Sequence, residues 1–597
     1  SAITGDPLFT ELRVDGAVIV ERYRESEPDY DTSAVWVLDR AVNVIGRDGS
    51  RTELVHSVVH LKTDEALEEH GELSLPSNAL LLTGRTIKQS GRVLEPEDIA
   101  NKPSISFPDL QPGDFIEIEY AVFHPSSPLF AGGFDTGRFY FQDFDTAFHR
   151  SEILVVAPAA MPIEADPRGS CPEPTEKRLG DLQSLTWRTR GLLPHVLEPL
   201  APVAREYLPS IRVTSAASWT SLTSRIGDML GDLGRPSAQL LETAKEALIG
   251  IPAEDHTARR RALYHWVIEH VEETGDLFDQ ASHVAVRKTG SRIRLFVALL
   301  EAADYSGRLA MVRETAEDNT ESQVPSLAML DRLVVDVEGD GWVSLEQDGA
   351  PYGYLPPDLR NRLTRYIDDG ETTETDGGTV QSDVQHVKVA ITLRADGSAR
   401  GEVTEELTGI LAAGWRTEFR AIPGVEIDKS FEELYLGTAI AGATLVSLRI
   451  EGLEDPEASL LIVYEIEVPQ FASREDRTLG VVVPFPVTLL KRTGGLPVRS
   501  TPAVLASHIE KTVEATVELP PGYSARVREP GGSVKTEWGE ARRKISTKGG
   551  KVHAEYQALL EADRIDPDDY LEFVAFAREL DRLTKLGFEA VSGTDAR

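Results

Sequence analysis

The pattern of apolar and polar residues changes twice along the 597-residue chain. From the start to about residue 215, apolar residues alternate with polar ones in short runs that are separated by turns, which is typical of β-strands. Strands are predicted at 17–23, 34–38, 53–61, 115–122, 138–142 and 152–156. The pattern therefore predicts an N-terminal antiparallel β-sandwich domain over residues 1–215.

The period changes to that of a helix in the middle of the chain. Apolar residues at 293, 296, 297 and 300 follow the turn Thr289-Gly290-Ser291 and would bury one face of a helix. A second amphipathic helix is predicted upstream at 260–271, and strands are predicted downstream at 308–313 and 333–337. Together these elements predict an α+β domain over residues 216–367.

The stretch at 368–378 is acidic and rich in glycine, and it indicates a linker. Alternating patterns return beyond it and predict a β-rich domain over 379–500 and a C-terminal β domain over 501–597. The C-terminal domain is expected to end in a helix that begins at Asp566-Pro567, since proline is favoured in the first turn of a helix. The chain is thus predicted to be an α+β multidomain protein.

The order of helix, glycine-led helix, strand and strand in the central domain resembles the papain-like core of the transglutaminase-like superfamily. Short patches of the N-terminal domain resemble the β-rich domain of unknown function that precedes such cores in exported bacterial proteins. These patches are Asp48-Gly49-Ser50, 86–96, 110–120, 194–202, 208–211 and 218–219. The resemblance implies a periplasmic or extracellular location, although the sequence leaves a cytoplasmic one open.

In that family the glycine-led helix opens with a nucleophilic Cys, the next strand carries a His, and a following strand carries an Asp. Matched residue by residue, these positions fall in Gly290-Ser291-Arg292, Leu330-Asp331-Arg332 and Trp342-Val343-Ser344. Arginine stays protonated, so Arg292 has no nucleophilic form and Arg332 cannot accept a proton. Ser344 cannot hold an imidazole as a carboxylate does. The resemblance therefore implies a pseudoenzyme of this fold with a vestigial triad.

Arg292, Arg294 and Arg332, with Trp342 beside them, form a candidate ligand pocket. Positive charges at the start of a helix oppose its dipole, so they need a compensating partner. Two alternatives follow. The arginines pair with acids such as Asp331 or Glu346, which we favour, or they bind an anionic ligand.

Three other residues keep a second class of function open, a hydrolase or transferase with a nonstandard active site. Ser291 at the helix start is expected to be the N-cap, but a serine there becomes a nucleophile when a base is in reach. Cys171, the single cysteine, lies in a turn-rich loop and is expected to be a free thiol. His283 is the imidazole nearest to the glycine turn in sequence.

Composition limits the partners. The formal net charge of −36 and a pI near 4.8 argue against nucleic acids and anionic membranes. No run of eighteen or more apolar residues is present, and no phosphate-binding loop or metal motif is found, so we expect no membrane span and no cofactor or metal. The expected function is a non-catalytic scaffold or binding module for a protein or peptide, because the family cleft accommodates an extended chain. The oligomeric state stays open.

Overall fold

A computed structural model of the chain describes residues 7–26, 29–95, 104–130, 132–215, 218–231, 236–275, 277–320, 324–326, 328, 332–377, 383–505 and 508–593. The structure divides into two compact units. The first comprises Ser1–Glu198, Val203–Ile226 and Ser322–Ser326, and the second comprises Pro199–Pro202, Gly227–Glu321 and Leu327–Arg597. In the part of the chain that is described, no helix is long and apolar enough to cross a membrane.

The first unit is rich in strands. They are β1 Ala34–Ile45, β2 Arg51–Leu61, β3 Glu72–Ser74, β4 Ala79–Ile87, β5 Val93–Leu94, β6 Ser104–Ser106, β7 Phe115–His124, β8 Asp135–Tyr140, β9 Ala147–Pro158, β10 Glu164–Arg168, β11 Thr175–Leu179, β12 Leu182–Leu192 and β13 Ser210–Thr214. Helices in this part of the chain are Pro7–Leu12, Gly16–Ser26, Asp64–His70, the 3-10 turn Pro128–Phe130, Ala204–Tyr207 and Trp219–Leu230.

Eight of these strands form one sheet in the order β11-β12-β9-β1-β2-β7-β4-β5, and β10-β13-β8 form a second. The two sheets pack on each other through Ile153 and Trp187 of the larger and Ile211 and Val213 of the smaller. The prediction of a β-rich N-terminal domain is confirmed. The larger sheet is mixed rather than purely antiparallel, however, because β1 and β9 run parallel.

The strand predicted at 17–23 is wrong, since this segment lies in the helix Gly16–Ser26. Ile19, Val20 and Tyr23 lie on one helical face and pack with Val35 of β1. A run of seven residues with mixed polarity fits both a strand and two helical turns, so its period alone did not distinguish them.

The second unit begins with the central α+β region. Its helices are Ala238–Ala247, His256–His270, Ala281–Arg287 and Arg292–Ala302, and its strands are β14 Glu272–Glu273, β15 Thr289–Gly290, β16 Gly307–Val312, β17 Arg332–Val337, β18 Gly341–Val343, β19 Leu363–Tyr366 and β20 Thr372–Glu374, with the 3-10 turn Pro357–Leu359. The five-stranded sheet has the order β18-β17-β16-β19-β20. The predicted central helices at 260–271 and after residue 291 and the two strands are confirmed.

The predicted linker at 368–378 is folded where it is described. Residues Thr372–Glu374 form β20, and Asp368 and Asp369 pair with Arg308 of β16. Arg308, at one end of β16, thus holds the start of this acidic stretch in place. Residue 378 lies outside the described residues.

The rest of the second unit is again rich in strands. They are β21 Val384–Leu393, β22 Ala399–Leu407, β23 Thr444–Glu451, β24 Leu460–Val468, β25 Ala472–Glu475, β26 Thr478–Val482, β27 Ala503–Val504, β28 Ile509–Glu518, β29 Tyr523–Arg526, β30 Gly531–Thr536, β31 Gly539–Lys548, β32 Lys551–Leu560, β33 Arg564–Ile565 and β34 Gly587–Ser592. The helices are Gly409–Ala421, Gly424–Glu426, Ile427–Ser430, Phe431–Leu436, Gly437–Ala439, Leu489–Thr493 and Tyr570–Thr584.

The boundary predicted between residues 500 and 501 falls inside one sheet. Its order is β23-β24-β22-β21-β28-β32-β31-β30, and β21 and β28 pair in parallel across that boundary. One hydrophobic core includes both sides, from Val387 to Ala590. The predicted last helix is present as Tyr570–Thr584, but β34 follows it. The two predicted C-terminal domains therefore form one β-rich body.

Candidate functional site

The start of the helix Arg292–Ala302 has a geometry that requires its glycine. Gly290 has a φ of 137°, and a Cβ there would lie 2.5 Å from Cγ2 of Val284. Ser291 is the N-cap, as the sequence indicated, and its Oγ accepts a hydrogen bond from the Arg294 amide at 3.4 Å. The Arg292 amide donates to the Glu273 carboxylate at 2.9 Å. Side chains of the chain itself therefore occupy the donors at this helix start.

Arg292 is buried, with 9% of its surface exposed. Its Nε donates to the Val271 carbonyl at 2.7 Å, and its Nη1 pairs with Asp348. Arg294 is turned elsewhere, because its Nε donates to the Asp279 carbonyl at 3.2 Å and its Nη2 donates to the Leu230 carbonyl. The two arginines of the helix start thus serve different neighbours rather than one pocket.

Arg332, the first residue of β17, is held by three carboxylates. Its Nε lies 2.8 and 2.9 Å from the two Glu346 oxygens, and its Nη1 lies 3.1 Å from Glu314 and 2.9 Å from Asp358. Burial acts against the charged form, but the hydrogen bonds and charges of Glu346 and Asp358 raise the pKa of Arg332 above its ordinary value. Arg332 is therefore a cation held in place by its three carboxylate partners.

Ser344 and Trp342 lie nearby without joining this cluster. Ser344 Oγ accepts a hydrogen bond from the Glu346 amide at 3.4 Å, and Trp342 stacks on Tyr366 with ring centroids 5.9 Å apart. The β17–β18 register pairs Val335 with Val343, and continuing it sets residue 346, not 344, opposite Arg332. The acid that faces Arg332 is Glu346.

Of the three positions that the sequence singled out, the structure brings Arg292 and Arg332 to one segment, where they pair with Asp348 and Glu346. Ser344 reaches only the backbone of that segment. Pairing with acids, the first of the two alternatives, is the arrangement observed for both arginines. Asp331, the other expected partner, lies outside the described residues.

Among the described residues, neither Ser291 nor Cys171 has a hydrogen bond to a side chain that could act as its base. In the described chain, no imidazole or carboxylate hydrogen bonds to Ser291 Oγ, whose partner is the Arg294 amide. Cys171 belongs to the first unit, and burial raises the pKa of its thiol to about 11, so the thiol stays protonated at neutral pH. His283 is exposed to solvent. No set of three or more His, Cys, Asp and Glu suited to a metal ion occurs among the described residues.

A cleft of about 590 Å³ in the second unit has Arg332 and Glu346 in its wall. Its apolar lining consists of Pro356, Pro357, Ile410, Leu411, Val487 and Leu489. Its polar lining consists of Arg332, Glu346, Gln347, Asp358, Asp383, Gln385, Thr488, Arg492, His508, Glu510 and Lys511. The part of the cleft lining that faces Arg332 thus comes from the large C-terminal sheet and the helices beside it.

Sequence reasoning missed the residues that the C-terminal sheet contributes to this cleft. Lys511 on β28 and Gln385 on β21 are register partners, and each stands in the apolar phase of its strand. The residues that share this phase are buried: Val387, Val389, Ile391, Val513, Ala515 and Val517. A polar residue in the apolar phase of a strand was the signal available in the sequence.

Comparison with known proteins gives a partial match. A family model described as a domain of unknown function with solved structure, DUF3857, matches residues 100–195. No curated protein matches the chain.

Among solved structures, the chain is similar to a candidate protease from Parabacteroides distasonis, with a TM-score of 0.63, 13% identity and coverage of 94% of this chain and 99% of that one. It also matches an M1 zinc metallopeptidase from Deinococcus radiodurans, with a TM-score of 0.19, 14% identity and coverage of 39% of this chain and 53% of that one. At 13% identity the first likeness shows a shared multidomain fold.

Proposed function

We propose that this chain is a non-catalytic, transglutaminase-like binding protein whose cleft beside Arg332 takes an extended peptide. The observation that carries the proposal is the state of Arg332. At the position where the resembled family has a base, this chain has a cation tied to three carboxylates in the wall of an open cleft.

The chemistry around the cleft supports binding over turnover. Thiol catalysis needs a nucleophile and a base that exchanges its proton, and neither Arg292 nor Arg332 has a form that does so. The cleft keeps a volume and a mixed lining suited to a peptide, with apolar side chains for its residues and polar groups to fix its direction. As part of this proposal, and following the resemblance, the protein works outside the cytoplasm of a bacterium.

The test has a binding arm. Random peptides displayed on phage are selected against the full chain and then measured as synthetic peptides by fluorescence anisotropy. Leu411, which is 39% exposed in the cleft, is changed to Trp to fill it, and Leu434, which is 77% exposed and does not line it, is changed to Trp as the matched control. We expect Leu411→Trp to abolish binding and Leu434→Trp to leave it intact.

The second arm measures hydrolysis of casein and of fluorogenic peptides, deamidation of glutamine peptides and transfer to an amine. We expect no turnover by the full chain. Any of these activities that disappears in Arg292→Ala, Arg332→Ala or Ser291→Ala would overturn the proposal. Equal peptide binding by both tryptophan variants would also count against it, because the ligand would then lie outside the cleft.

A further inference from the structure

Three neighbouring strands of the large C-terminal sheet each carry one polar residue on their core-facing side. These residues are Glu405 on β22, Gln385 on β21 and Lys511 on β28. Neighbours of the same phase belong to the hydrophobic core, namely Val403 and Leu407 on β22, Val387 on β21 and Val513 on β28. Three polar side chains in this phase of one sheet are costly to bury unless they are paired, so each needs a partner.

Glu405 has its partners within the chain. It is 1% exposed and accepts hydrogen bonds from the Tyr464 hydroxyl at 2.8 Å, from the Tyr435 hydroxyl at 2.7 Å and from Gln385 Nε2 at 2.9 Å. All three donors are neutral. The amide nitrogen of Gln385 thus donates to Glu405, and among the described residues no hydrogen bond joins Gln385 to its register partner Lys511.

Lys511 is left without a polar partner. Among the described residues, its ammonium group has neither a hydrogen bond nor an ion pair, and its Nζ lies 5.8 Å from the centroid of the Phe485 ring. Burial lowers the pKa of Lys511 to about 8, although the charge of Glu405 acts in the opposite direction. The group is a desolvated amine at the point where the core opens into the cleft.

Arg492 is the second cation of this cleft that lacks an acid in the described chain. It lies in the last turn of the helix Leu489–Thr493 and is exposed. The other cationic side chains of the cleft are occupied, since Arg332 has its three carboxylates and His508 lies 3.2 Å from Asp563. Lys511 and Arg492 are thus the positive groups available to a ligand.

The acids of the cleft do not pair with Lys511 or Arg492 in the described chain. Asp358 is paired with Arg332, and Asp383 is paired with Arg360 at 3.0 Å. Glu510, which is exposed and precedes Lys511 on β28, also lines the cleft. The cleft therefore combines apolar walls and two available cations with one exposed carboxylate.

We propose that Lys511 and Arg492 bind the carboxylate of a ligand whose apolar part lies against Ile410, Leu411 and Val487. A singly charged carboxylate matches this site, because apolar walls penalise a more highly charged group. The ligand class is an apolar carboxylate, supplied by the C-terminus of a peptide that ends in an apolar residue or by a free aliphatic acid. The inference rests on the proposed function, since it describes the ligand of the same cleft.

The experiment uses brief acetylation of the full chain with acetic anhydride and reads each lysine by mass spectrometry. The probes are hexanoate and its neutral counterpart hexanamide. We expect hexanoate to slow acetylation of Lys511, hexanamide to leave it unchanged, and Lys388 on the solvent side of β21 to be unaffected by both. A peptide with a free C-terminal leucine and the same peptide with a C-terminal amide show which carboxylate source binds more tightly.

The arginine is tested with Arg492→Gln and with Lys491→Gln, its exposed neighbour on the same helix, as the control. Loss of one charge-assisted contact is expected to raise the hexanoate concentration needed for half protection about tenfold in Arg492→Gln only. Equal protection by hexanoate and hexanamide, or no protection at all, would overturn the inference, and an equal effect of both variants would remove Arg492 from it.

The outcome is separable from that of the proposed function. If peptides with an amidated C-terminus bind in the cleft while hexanoate gives no protection, the binding function stands and the carboxylate site falls. If hexanoate protects Lys511 while no peptide is bound, the carboxylate site stands and the peptide function falls.

Discussion

Arg332 on β17 and Glu346, just beyond β18, form a bidentate pair in which the Arg332 Nε lies 2.8 and 2.9 Å from the two carboxylate oxygens. Here the acid orients a guanidinium, which stays charged throughout the accessible pH range. The same cross-strand geometry thus stabilises the wall of the cleft without providing a group that transfers protons.

Arg332→Ala is expected to destabilise the central sheet by about 1–3 kcal/mol, because it leaves Glu314, Glu346 and Asp358 facing one another. Hydrogen exchange of the β17 amides measures this locally, which suits a chain of several domains. The double variant Arg332→Ala/Glu346→Ala should recover about 1 kcal/mol or more relative to the sum of the single changes. Additive effects of the two changes would show that the pair contributes nothing beyond its separate residues.

The central helix was predictable because both of its signals are local. Its period is in the sequence, and the turn residues Gly290 and Ser291 precede it directly. Glu346 was expected as one of the acids that pair with the arginines, but the sequence did not show which arginine it faces. In the structure, the partner of Arg332 is set by the β17–β18 register and by the turn between them.

Lys511 was missed for a different reason. The alternation of Lys511 with Val513 and Ala515 shows that these residues share one face of β28. That this face borders a cleft becomes visible only from the pairing of β28 with β21, which precedes the predicted boundary at residue 500. The periodicity of apolar residues indicates which residues share a face of a strand. The neighbours of that face depend on contacts between segments that are distant in sequence.

Ser291→Ala is expected to cost about 1 kcal/mol through loss of the N-cap, and Ser291→Thr is expected to retain most of that stability. Thermal unfolding of the second unit and hydrogen exchange at the Arg294 amide measure the change. The reverse pattern, in which stability is unchanged and a hydrolytic activity is lost, would assign Ser291 to chemistry instead of capping.

The stability of the first unit is expected to fall as the pH decreases from about 6.5 to about 4 because of His60. Burial, with help from Lys62 and Arg24, lowers the pKa of His60 from 6.5 to about 4. In that interval the unfolded chain binds the proton more readily than the folded one, so the folded state loses stability as acid is added.

His60→Gln, which retains a polar group toward the Tyr23 hydroxyl, should flatten the dependence of the unfolding temperature on pH in this range. His149→Gln tests the neighbouring imidazole, since burial lowers the pKa of His149 as well. His386→Gln in the second unit is the control. If the His60 variant follows the same curve as the unchanged chain, His60 is not the group responsible.

The second unit is expected to gain stability as the pH rises from about 8 to about 10.5, because Lys511 is held as a desolvated cation. Its pKa falls from 10.5 to about 8 on folding, so between these values the unfolded chain binds more protons and a higher pH favours the folded state. Below about 8 both states are protonated, and the contribution is constant. Burial and then the charge of Glu405 raise the pKa of Tyr435 and Tyr464 above the ordinary value of 10.0, so these hydroxyls lower the stability as the pH approaches 10. Their effect is the same in the two lysine variants that are compared below.

Lys511→Met keeps the length of the side chain and removes its charge, so it should abolish this rise and stabilise the unit below pH 8. The charged groups near the amine are Glu405 behind it and Glu510, His508 and Arg492 around the cleft. Lys388→Met on the opposite face of β21 is the matched control, since it changes the same charge in solvent. Unfolding curves of the Lys511 and Lys388 variants that stay parallel from pH 7 to 10.5 would mean that Lys511 is solvated like a surface lysine, and the carboxylate site would then lack a desolvated amine.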